Sequence, residues 1–338
     1  MIVNASMPAG AHLYSSSSFC YRHMPEKWRQ RDEFMGTENS QTPPKAQFSV
    51  HVMLIAMSFV WGINFPIIKG ALAELSPLSF NAIRFSTSSV LLLVLLYFRE
   101  KNFSIRRGDI SRFILLALVG NTVYQLFFIH GIARTTASNS SLILATTPIF
   151  IVLLGSILGV EKITKSILQS IIISFTGIIL VIAGSGKPLV LTDQSLIGDL
   201  LTIANPICWA TYTVLSKPML KEYTPLKLTS LTMAIGTIPL VLISIPSLNA
   251  QNWNIVSTQA WLGLAFSAFF AIGIGYLMWY TGVSLIGSAR TALYENLVTV
   301  FAVASAWILL SENMSLVQII GASFVFVSLY LVQRTKQS

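Results

Sequence analysis

The chain has 338 residues, of which 54% are hydrophobic and only 10% charged, with a formal net charge of +9. Soluble domains carry about 25% charged residues, so this composition excludes an ordinary water-soluble fold. The apolar residues come in blocks of roughly 18 to 23, the length that crosses a hydrocarbon core about 30 Å thick. Each block therefore predicts a membrane-spanning helix.

The first 49 residues form a polar segment that precedes the first apolar block. Ser15 to Ser18 stand in a row, and Pro43 and Pro44 follow near its end. This composition predicts a disordered cytoplasmic N-terminal tail, or an extension that results from a misplaced start site. The apolar blocks that follow predict ten transmembrane helices, at 50–72, 77–98, 111–131, 137–159, 166–183, 197–217, 226–246, 260–281, 288–310 and 315–333.

The two halves of the chain resemble each other at a nearly constant offset. Trp61 recurs 148 residues later as Trp209, and Gly131 recurs 151 residues later as Gly282. We therefore expect two five-helix repeats, at 50–184 and 197–333. Because five is an odd number, the second repeat enters the membrane from the opposite side. The predicted fold class is an all-α integral membrane protein with ten transmembrane helices as two inverted five-helix repeats.

The basic residues indicate the orientation of this arrangement. On a ten-helix path with both ends on one side, 18 of the 22 Lys and Arg residues fall on that side. Lys69, Arg134 and Lys187 fall on the other side, and Arg84 lies inside a helix. The positive-inside rule then places both termini in the cytoplasm. The positive charge is explained by topology, so no nucleic-acid partner is expected.

Several short motifs carry a family resemblance. They are Trp61 to Pro66 (WGINFP), Arg84-Phe85, Leu142 to Phe150 (LILATTPIF) and Tyr294 to Phe301 (YENLVTVF). With the five-plus-five duplication, they resemble the EamA family of the drug/metabolite transporter superfamily over residues 50–333. The resemblance implies a multi-pass carrier of the bacterial inner membrane, frequently an exporter of amino acids or related metabolites.

Ionisable residues inside the predicted helices are functional candidates, because a charge in the bilayer is costly unless it is paired or hydrated. Glu295 could bind a substrate ammonium group or a coupling proton, or it could pair with Arg290 or His130 to fix the bundle. His130 could titrate or simply bond a neighbour. Arg84 could pair with Glu74 or accept a solute carboxylate. Lys69 could bind an anion or extend to the headgroups.

Polar and aromatic residues recur on the predicted helices and could line a central cavity with apolar walls and a few orienting polar groups. Some of them could instead form an interfacial aromatic belt. With the ionisable residues, the predicted path comprises Trp61, Asn64, Lys69, Arg84, Tyr124, Gln125, His130, Trp209, Tyr212, Tyr276, Tyr280, Tyr294, Glu295 and Asn296.

No catalytic site is expected from the motifs. A weak likeness to a phosphate loop at Gly184 to Lys187 lacks the required Ser or Thr, since Pro188 takes that position. No metal-ligand spacing or nucleophile motif occurs, so neither cofactor nor metal is expected. The spacing of Gly155 and Gly159 permits close helix packing within the chain or a homodimer face.

These patterns predict a secondary or facilitative transporter of amino acids or related small metabolites, acting by alternating access. Its partners would be the lipid bilayer, a small-molecule solute and protons as the coupling ion. One alternative keeps the fold and carries an anionic, phosphate-bearing solute. A second is a membrane receptor or scaffold that transports nothing.

Overall fold

A computed structural model of the chain describes residues 44–134, 144–160, 164–183, 193–310 and 315–334. Every regular element within these ranges is a helix. Outside the described ranges lie residues 1–43 of the predicted tail, Glu161, Glu312 and the segment 184–192. The helices are α1 (Pro44–Ala71), α2 (Pro77–Arg99), α3 (Arg107–Arg134), α4 (Thr147–Ile157), α5 (Lys165–Ala183), α6 (Asp193–Met219), α7 (Pro225–Ala250), α8 (Thr258–Ile286), α9 (Ser288–Leu310) and α10 (Leu316–Arg334).

Five of these helices are long and apolar enough to cross a membrane: α1 from Phe48, α2, α3, α7 and α8. Shorter apolar helical stretches lie at Thr147–Ile157, Lys165–Leu180 and Leu316–Ser328. The chain is therefore a helical multi-pass membrane protein. Its first helix begins at Pro44, earlier than the predicted residue 50, so the last part of the predicted tail is helical.

Helices α3 and α8 each contain a π-helical segment, at Leu118–Val123 and at Ser267–Ile274. A π turn shifts the hydrogen-bond pattern of a helix, and such turns occur often at functional sites. The two segments occupy corresponding places in the two halves of the chain, at the offset that relates Gly131 to Gly282. Each interrupts a long helix near its middle.

The side chains are arranged as expected for a protein surrounded by lipid. Large apolar residues are exposed on the outer faces, including Phe98 at 71%, Leu262 at 66% and Ile238 at 62%. Such patches mark contact with an apolar environment. Polar residues such as Asn81 and Gln125 are buried instead.

Helices of one half pack against helices of the other. Helix α2 packs on α7, α4 on α9 and α5 on α10, and the second part of α3 packs on α6. In addition, the indole of Trp61 in α1 donates a hydrogen bond to α8, and Gly62 of α1 lies against Phe301 of α9. The interior is therefore formed jointly by the two halves.

Helices α2 and α7 begin in the same way. Ser76 and Thr224 cap the two N-termini, each accepting a hydrogen bond from a backbone N–H three residues on, and Pro77 and Pro225 follow them. Such residues are favoured at the cap and at the first position because they satisfy or remove an unpaired N–H. The local sequences, ELSP at 74–77 and EYTP at 222–225, correspond at the offset of 148 residues.

A first clasp joins the α1–α2 connection to the α7–α8 connection. Glu74 accepts hydrogen bonds from the backbone N and hydroxyl of Ser257, at 2.5 and 2.8 Å. Gln251 accepts from the backbone N of Ser76 at 2.8 Å and donates to the carbonyl of Glu74 at 2.9 Å.

A second clasp joins the α6–α7 connection to the α2–α3 connection. Glu222 forms an ion pair with Arg106. The hydroxyl of Tyr223 donates to Asp109 at 3.0 Å and accepts from the backbone N of Arg106 at 3.2 Å. Glu222 corresponds to Glu74 at the 148-residue offset, so the two clasps use equivalent carboxylates.

Candidate substrate site

The interior contains a cluster of aromatic side chains centred on Trp209 of α6, which is 2% exposed. Its ring lies 5.1 Å from the rings of Tyr124 and Tyr276, 5.5 Å from that of Trp279 and 6.0 Å from that of Trp61. These residues come from α1, α3, α6 and α8. The structure therefore brings predicted path residues from both halves into contact.

Tyr212 and Tyr280 extend the cluster along α6 and α8, with ring centroids 4.9 Å apart. The hydroxyl of Tyr212 hydrogen-bonds Thr232 at 2.7 Å and accepts from the amide of Asn121 at 3.4 Å. Its ring lies directly against Gly120, where a Cβ atom would overlap it. The absence of a side chain at Gly120 is thus required by the position of Tyr212.

The two equivalent tryptophans of the cluster differ in their hydrogen bonds. The indole N–H of Trp61 donates to the carbonyl of Ala271 at 2.8 Å, within the π segment of α8. The indole Nε1 of Trp209 is buried and has no hydrogen-bond partner in the described part of the chain. At the 151-residue offset, Ala271 corresponds to Gly120 in the π segment of α3.

Arg84 lies beside the cluster and is 1% exposed. Its guanidinium donates to Asn81 at 2.6 Å, to Gln125 at 2.9 Å and to Ser267 at 3.1 Å. Gln125 in turn donates to the hydroxyl of Tyr276 at 2.9 Å. The interaction with Glu74 that the sequence allowed is not formed in the described structure, because that carboxylate bonds Ser257.

Glu295 of α9 has a buried carboxylate oxygen, Oε2, with no hydrogen-bond partner in the ranges that the structure covers. It lies within the range of electrostatic interaction with the hydroxyls of Tyr124 and Tyr276. The other carboxylates with described side chains lie in the connections or at helix ends, at Glu74, Glu100, Asp109 and Glu222. Glu295 is thus the acidic group at the aromatic cluster among the described side chains.

Asparagines on α1, α3 and α9 also keep an unused acceptor, and the one on α3 is Oδ1 of Asn121. The Oδ1 atoms of Asn64 and Asn296 are buried without a partner in the described residues, while Nδ2 of Asn296 donates to Ser174 at 2.7 Å. Asn64 lies about one turn after Trp61 on α1. The unpaired groups of this region therefore include acceptors as well as donors, among them Nε of Arg84 and Nε1 of Trp209.

Three predicted path residues lie away from the cluster. His130 contacts Arg134, with 3.0 Å between Nδ1 and Nη1, and so does not pair with Glu295 in the described structure. Lys69 is exposed in the last turn of α1. The hydroxyl of Tyr294 contacts Nδ1 of His51 at 2.5 Å, at the opposite end of α1.

Asn205 was not among the predicted path residues. It is 1% exposed on α6, one turn before Trp209, and neither atom of its amide has a partner in the described part of the chain. An i, i+4 spacing from Trp209 places the two on one helix face, which is the sequence signal that could have identified it.

The arrangement resembles the lining of a small-molecule site. Within the described ranges, no three His, Cys, Asp or Glu side chains are grouped so that they could hold a metal ion. Stacked aromatic rings, a few unpaired hydrogen-bonding atoms and one carboxylate are the usual lining of a small-molecule site.

Comparison with known proteins gives consistent similarities. The profile of the EamA-like transporter family matches the chain twice, at residues 48–183 and 196–334. An uncharacterized transporter of Bacillus subtilis, YyaM, is 30% identical over 82% of this chain and 91% of its own length. A probable amino-acid metabolite efflux pump of Escherichia coli is 26% identical over 83% of this chain and 93% of its own.

A solved crystal structure shows the same fold. It superposes with a TM-score of 0.70 over 84% of this chain and 96% of its own length, at 13% sequence identity. At this identity the likeness concerns the fold alone.

Proposed function

Because the chain belongs to the EamA-like transporter family, we propose that it is a ten-span secondary or facilitative carrier that exports amino acids or related small metabolites. The five-plus-five duplication would form one central site, which opens to each side of the membrane in turn. The aromatic cluster around Trp209, with Glu295, would be that site. Among the relatives, the Escherichia coli efflux pump supports this class of solute.

Three observations support the inverted duplication. The family profile matches each half separately. The pairs α2–α7, α4–α9 and α5–α10 join equivalent helices, as a two-fold axis between the halves requires. The π segments of α3 and α8 and the two clasps also occupy equivalent places, and the clasps join opposite ends of α2 to the second half.

Alternating access is supported by the unequal state of the two equivalent tryptophans. Trp61 bonds the carbonyl of Ala271, whereas Trp209 makes no equivalent bond to Gly120 in the described structure. If the halves exchange conformations, Trp209 bonds α3 in the opposite state and Trp61 releases α8. The hydrogen bonds of Trp61 and Trp209 would then indicate which side of the carrier is open.

The observation that carries the proposal is the unpaired carboxylate oxygen of Glu295 beside the aromatic cluster. A buried carboxylate oxygen without a hydrogen-bond partner costs free energy, and a bound cation or proton removes that cost. Glu295 is therefore the expected site for the ammonium group of a solute or for a coupling proton. The surrounding tyrosines, Asn64 and Asn296 would orient the solute.

The proposed location is the bacterial inner membrane, with both termini in the cytoplasm. The excess of Lys and Arg on one side of the ten-span path supports this orientation. The spacing of Gly155 and Gly159 would also allow two copies of the chain to pack as a homodimer. Sizing of the purified protein in detergent measures that state directly.

Efflux of labelled amino acids from proteoliposomes, with and without an imposed pH gradient, tests the function. We expect flux of at least one amino acid that rises with the gradient. In Glu295→Gln the gradient dependence should disappear, because a neutral amide neither exchanges a proton nor balances a cation. Glu100→Gln, at the end of α2, is the matched control and should keep gradient-dependent flux.

The same assay separates the alternatives. Flux that anionic, phosphate-bearing solutes inhibit, and that Glu295→Gln leaves unchanged, would favour an anionic cargo near Arg84, whose guanidinium has no carboxylate partner in the described residues. Absence of flux for every solute would favour a receptor or scaffold and contradict the transport proposal.

A further inference from the structure

Asn205 is a buried asparagine whose side-chain amide makes no hydrogen bond in the described structure. It lies within α6 and is 1% exposed, and neither Oδ1 nor Nδ2 has a hydrogen-bond partner among the described residues. Buried polar side chains are nearly always hydrogen-bonded, because an unpaired group costs free energy. An asparagine with both atoms unpaired therefore requires another reason to be there.

The contrast with Asn81 shows how a structural asparagine is used in this protein. Its Nδ2 donates to the carbonyl of Gln125 at 3.2 Å, and its Oδ1 accepts from Arg84 at 2.6 Å. The amide of Asn81 thus links α2 to α3 and holds the guanidinium. Asn205 makes neither kind of contact in the described structure, although it is buried to the same degree.

The position of Asn205 relates it to the aromatic cluster through Trp209. It precedes Trp209 by one turn on the same face of α6, and the indole Nε1 of Trp209 is also unpaired in the described structure. Trp209 contacts Tyr124 and Tyr276, whose hydroxyls are within electrostatic range of Glu295. The amide of Asn205, on the Trp209 face of α6, the indole of Trp209 and a carboxylate oxygen of Glu295 are thus all unpaired in the described structure.

We propose that Asn205 binds the solute directly, and that its amide recognises the neighbouring ammonium and carboxylate groups of a zwitterionic amino acid. This inference rests on the proposed transport function and names the part of the solute that the site selects. An asparagine side chain presents an acceptor and a donor on one carbon atom. Oδ1 accepts from the ammonium group, and Nδ2 donates to the carboxylate.

The other two unpaired groups complete this recognition. Glu295 balances the charge of the ammonium group, and the indole N–H of Trp209 is a second donor to the solute carboxylate. Specificity of this kind rejects a solute that lacks either group, because a buried donor or acceptor is then left unpaired. The site consequently selects the ammonium and carboxylate groups of an amino acid, and the solute side chain contacts the aromatic rings.

The test uses the full-length protein in proteoliposomes and the variant Asn205→Leu, which keeps the side-chain size and removes the amide. Labelled amino-acid flux is inhibited with the unlabelled amino acid, with its decarboxylated amine and with its deaminated acid. In the variant we expect the inhibitory concentration of the amino acid to rise roughly 10- to 100-fold, from lost hydrogen bonds to charged groups. The values for the amine and the acid should change little.

Thermal unfolding in detergent distinguishes a binding role from a structural one. Asn205→Leu should leave the unfolding temperature without solute unchanged or raise it, because the amide that it removes is unpaired. The stabilisation that added amino acid gives the wild-type protein should be lost in the variant. Asn81→Leu, the control, should lower the unfolding temperature without solute, since it breaks bonds to Arg84 and Gln125.

The outcomes separate this inference from the transport proposal. A wild-type protein that transports amino acids, with an Asn205→Leu variant of unchanged inhibition by the amino acid, would overturn the role of Asn205 alone. A variant that unfolds as early as Asn81→Leu, with unchanged amino-acid affinity, would show Asn205 to be structural. Absence of amino-acid flux and of stabilisation in the wild type would overturn both proposals.

Discussion

Arg84 places a buried guanidinium where α2, α3 and α8 meet. Its three hydrogen-bond partners are neutral, and the rings of Phe80 and Phe85 lie 5.2 and 5.6 Å from its central carbon. A buried charge without an acidic partner is costly, and hydrogen bonds and aromatic faces offset part of that cost. These contacts give Arg84 a structural role in holding the three helices.

Arg84→Met should therefore destabilise the protein. The change leaves acceptors on Asn81 and Gln125 without their donor, which costs about 1–3 kcal/mol for each unpaired group. Denaturant unfolding of the purified variant in detergent measures the loss. Unchanged stability, together with lost sensitivity to anionic solutes, would show that Arg84 binds cargo.

Residue type and depth were sufficient to predict, from the sequence, several residues that the structure brings together in the candidate site. Glu295, Trp61 and Trp209 stand out because charged and paired aromatic residues are conspicuous within apolar blocks. Asn205 is not conspicuous, since its importance depends on the absence of partners, which only packing reveals. Lys69 is the opposite case, because its charge made it a candidate in the sequence but the structure places it on the surface.

The π segments of α3 and α8 shape the elements on which the site depends. In α3 the segment includes Gly120, against which the ring of Tyr212 lies. In α8 it presents the carbonyl groups of Ala268 and Ala271 to Ser88 and Trp61, at 2.7 and 2.8 Å. The α3 segment thus allows a side chain of α6 to approach closely, and the α8 segment offers backbone carbonyl groups to α1 and α2.

Gly120→Ala should disturb this contact. A methyl group there overlaps the ring of Tyr212, and overpacking of this kind typically costs about 1–3 kcal/mol. We expect a lower unfolding temperature and reduced solute stabilisation. Gly70→Ala is the matched control, because no atom lies near an added Cβ at Gly70. Equal unfolding temperatures for the two variants would contradict the packing described for Gly120.

Hydropathy predicted the order of the helices and the approximate bounds of most of them, because apolar length is set by the bilayer. The fourth helix, predicted at 137–159, is Thr147–Ile157 in the structure, and residues 137–143 of that prediction lie outside the described ranges. The repeated Ser/Thr-Pro pairs also fix the starts of α2 and α7, where Pro77 and Pro225 begin the helices. The π segments could not be predicted, since their hydrogen-bond shift depends on contacts from other helices and leaves no composition signal. Ten membrane spans remain a prediction, because five helices meet the length and hydropathy expected of a span within the described residues.

At the scale of the whole molecule, the two clasps connect the halves at equivalent places. Glu74 bonds the N-cap residue of α8, and Glu222 pairs with Arg106, the residue before the first turn of α3. On the proposed inverted path the two clasps lie on opposite sides of the membrane. Both are formed in this structure, and we expect the clasp on one side to break when the proposed carrier opens toward that side.

The first clasp should weaken in acid. Hydrogen bonds from the backbone N–H and hydroxyl of Ser257 lower the pKa of Glu74 below its ordinary value. A carboxylate with a lowered pKa in the folded state stabilises that state above the unfolded pKa, about 4.3. This contribution is lost as the pH falls through the lower, folded pKa, and Glu74→Gln should remove that pH dependence from thermal unfolding.

The two clasp carboxylates should also bias the carrier in opposite directions. Glu74→Gln loses the charge that accepts from Ser257 and favours opening on the non-cytoplasmic side, whereas Glu222→Gln loses its ion pair and favours the cytoplasmic side. Cys208 of α6, a partly buried thiol next to Trp209 in the chain, becomes the sole thiol once Cys20 is changed to serine. Its labelling by a membrane-impermeant reagent, added to either face of oriented vesicles, reports which side is open.

Opposite changes in the two variants are expected, with faster labelling from outside for Glu74→Gln and from inside for Glu222→Gln. Changes of the same sign would mean that the clasps stabilise the fold as a whole and do not govern access. The distinction follows from symmetry: in an inverted duplication, equivalent contacts at opposite faces oppose each other, whereas contacts that only stabilise the fold act together. Labelling from the two faces therefore tests the duplication and the alternating-access mechanism in one experiment.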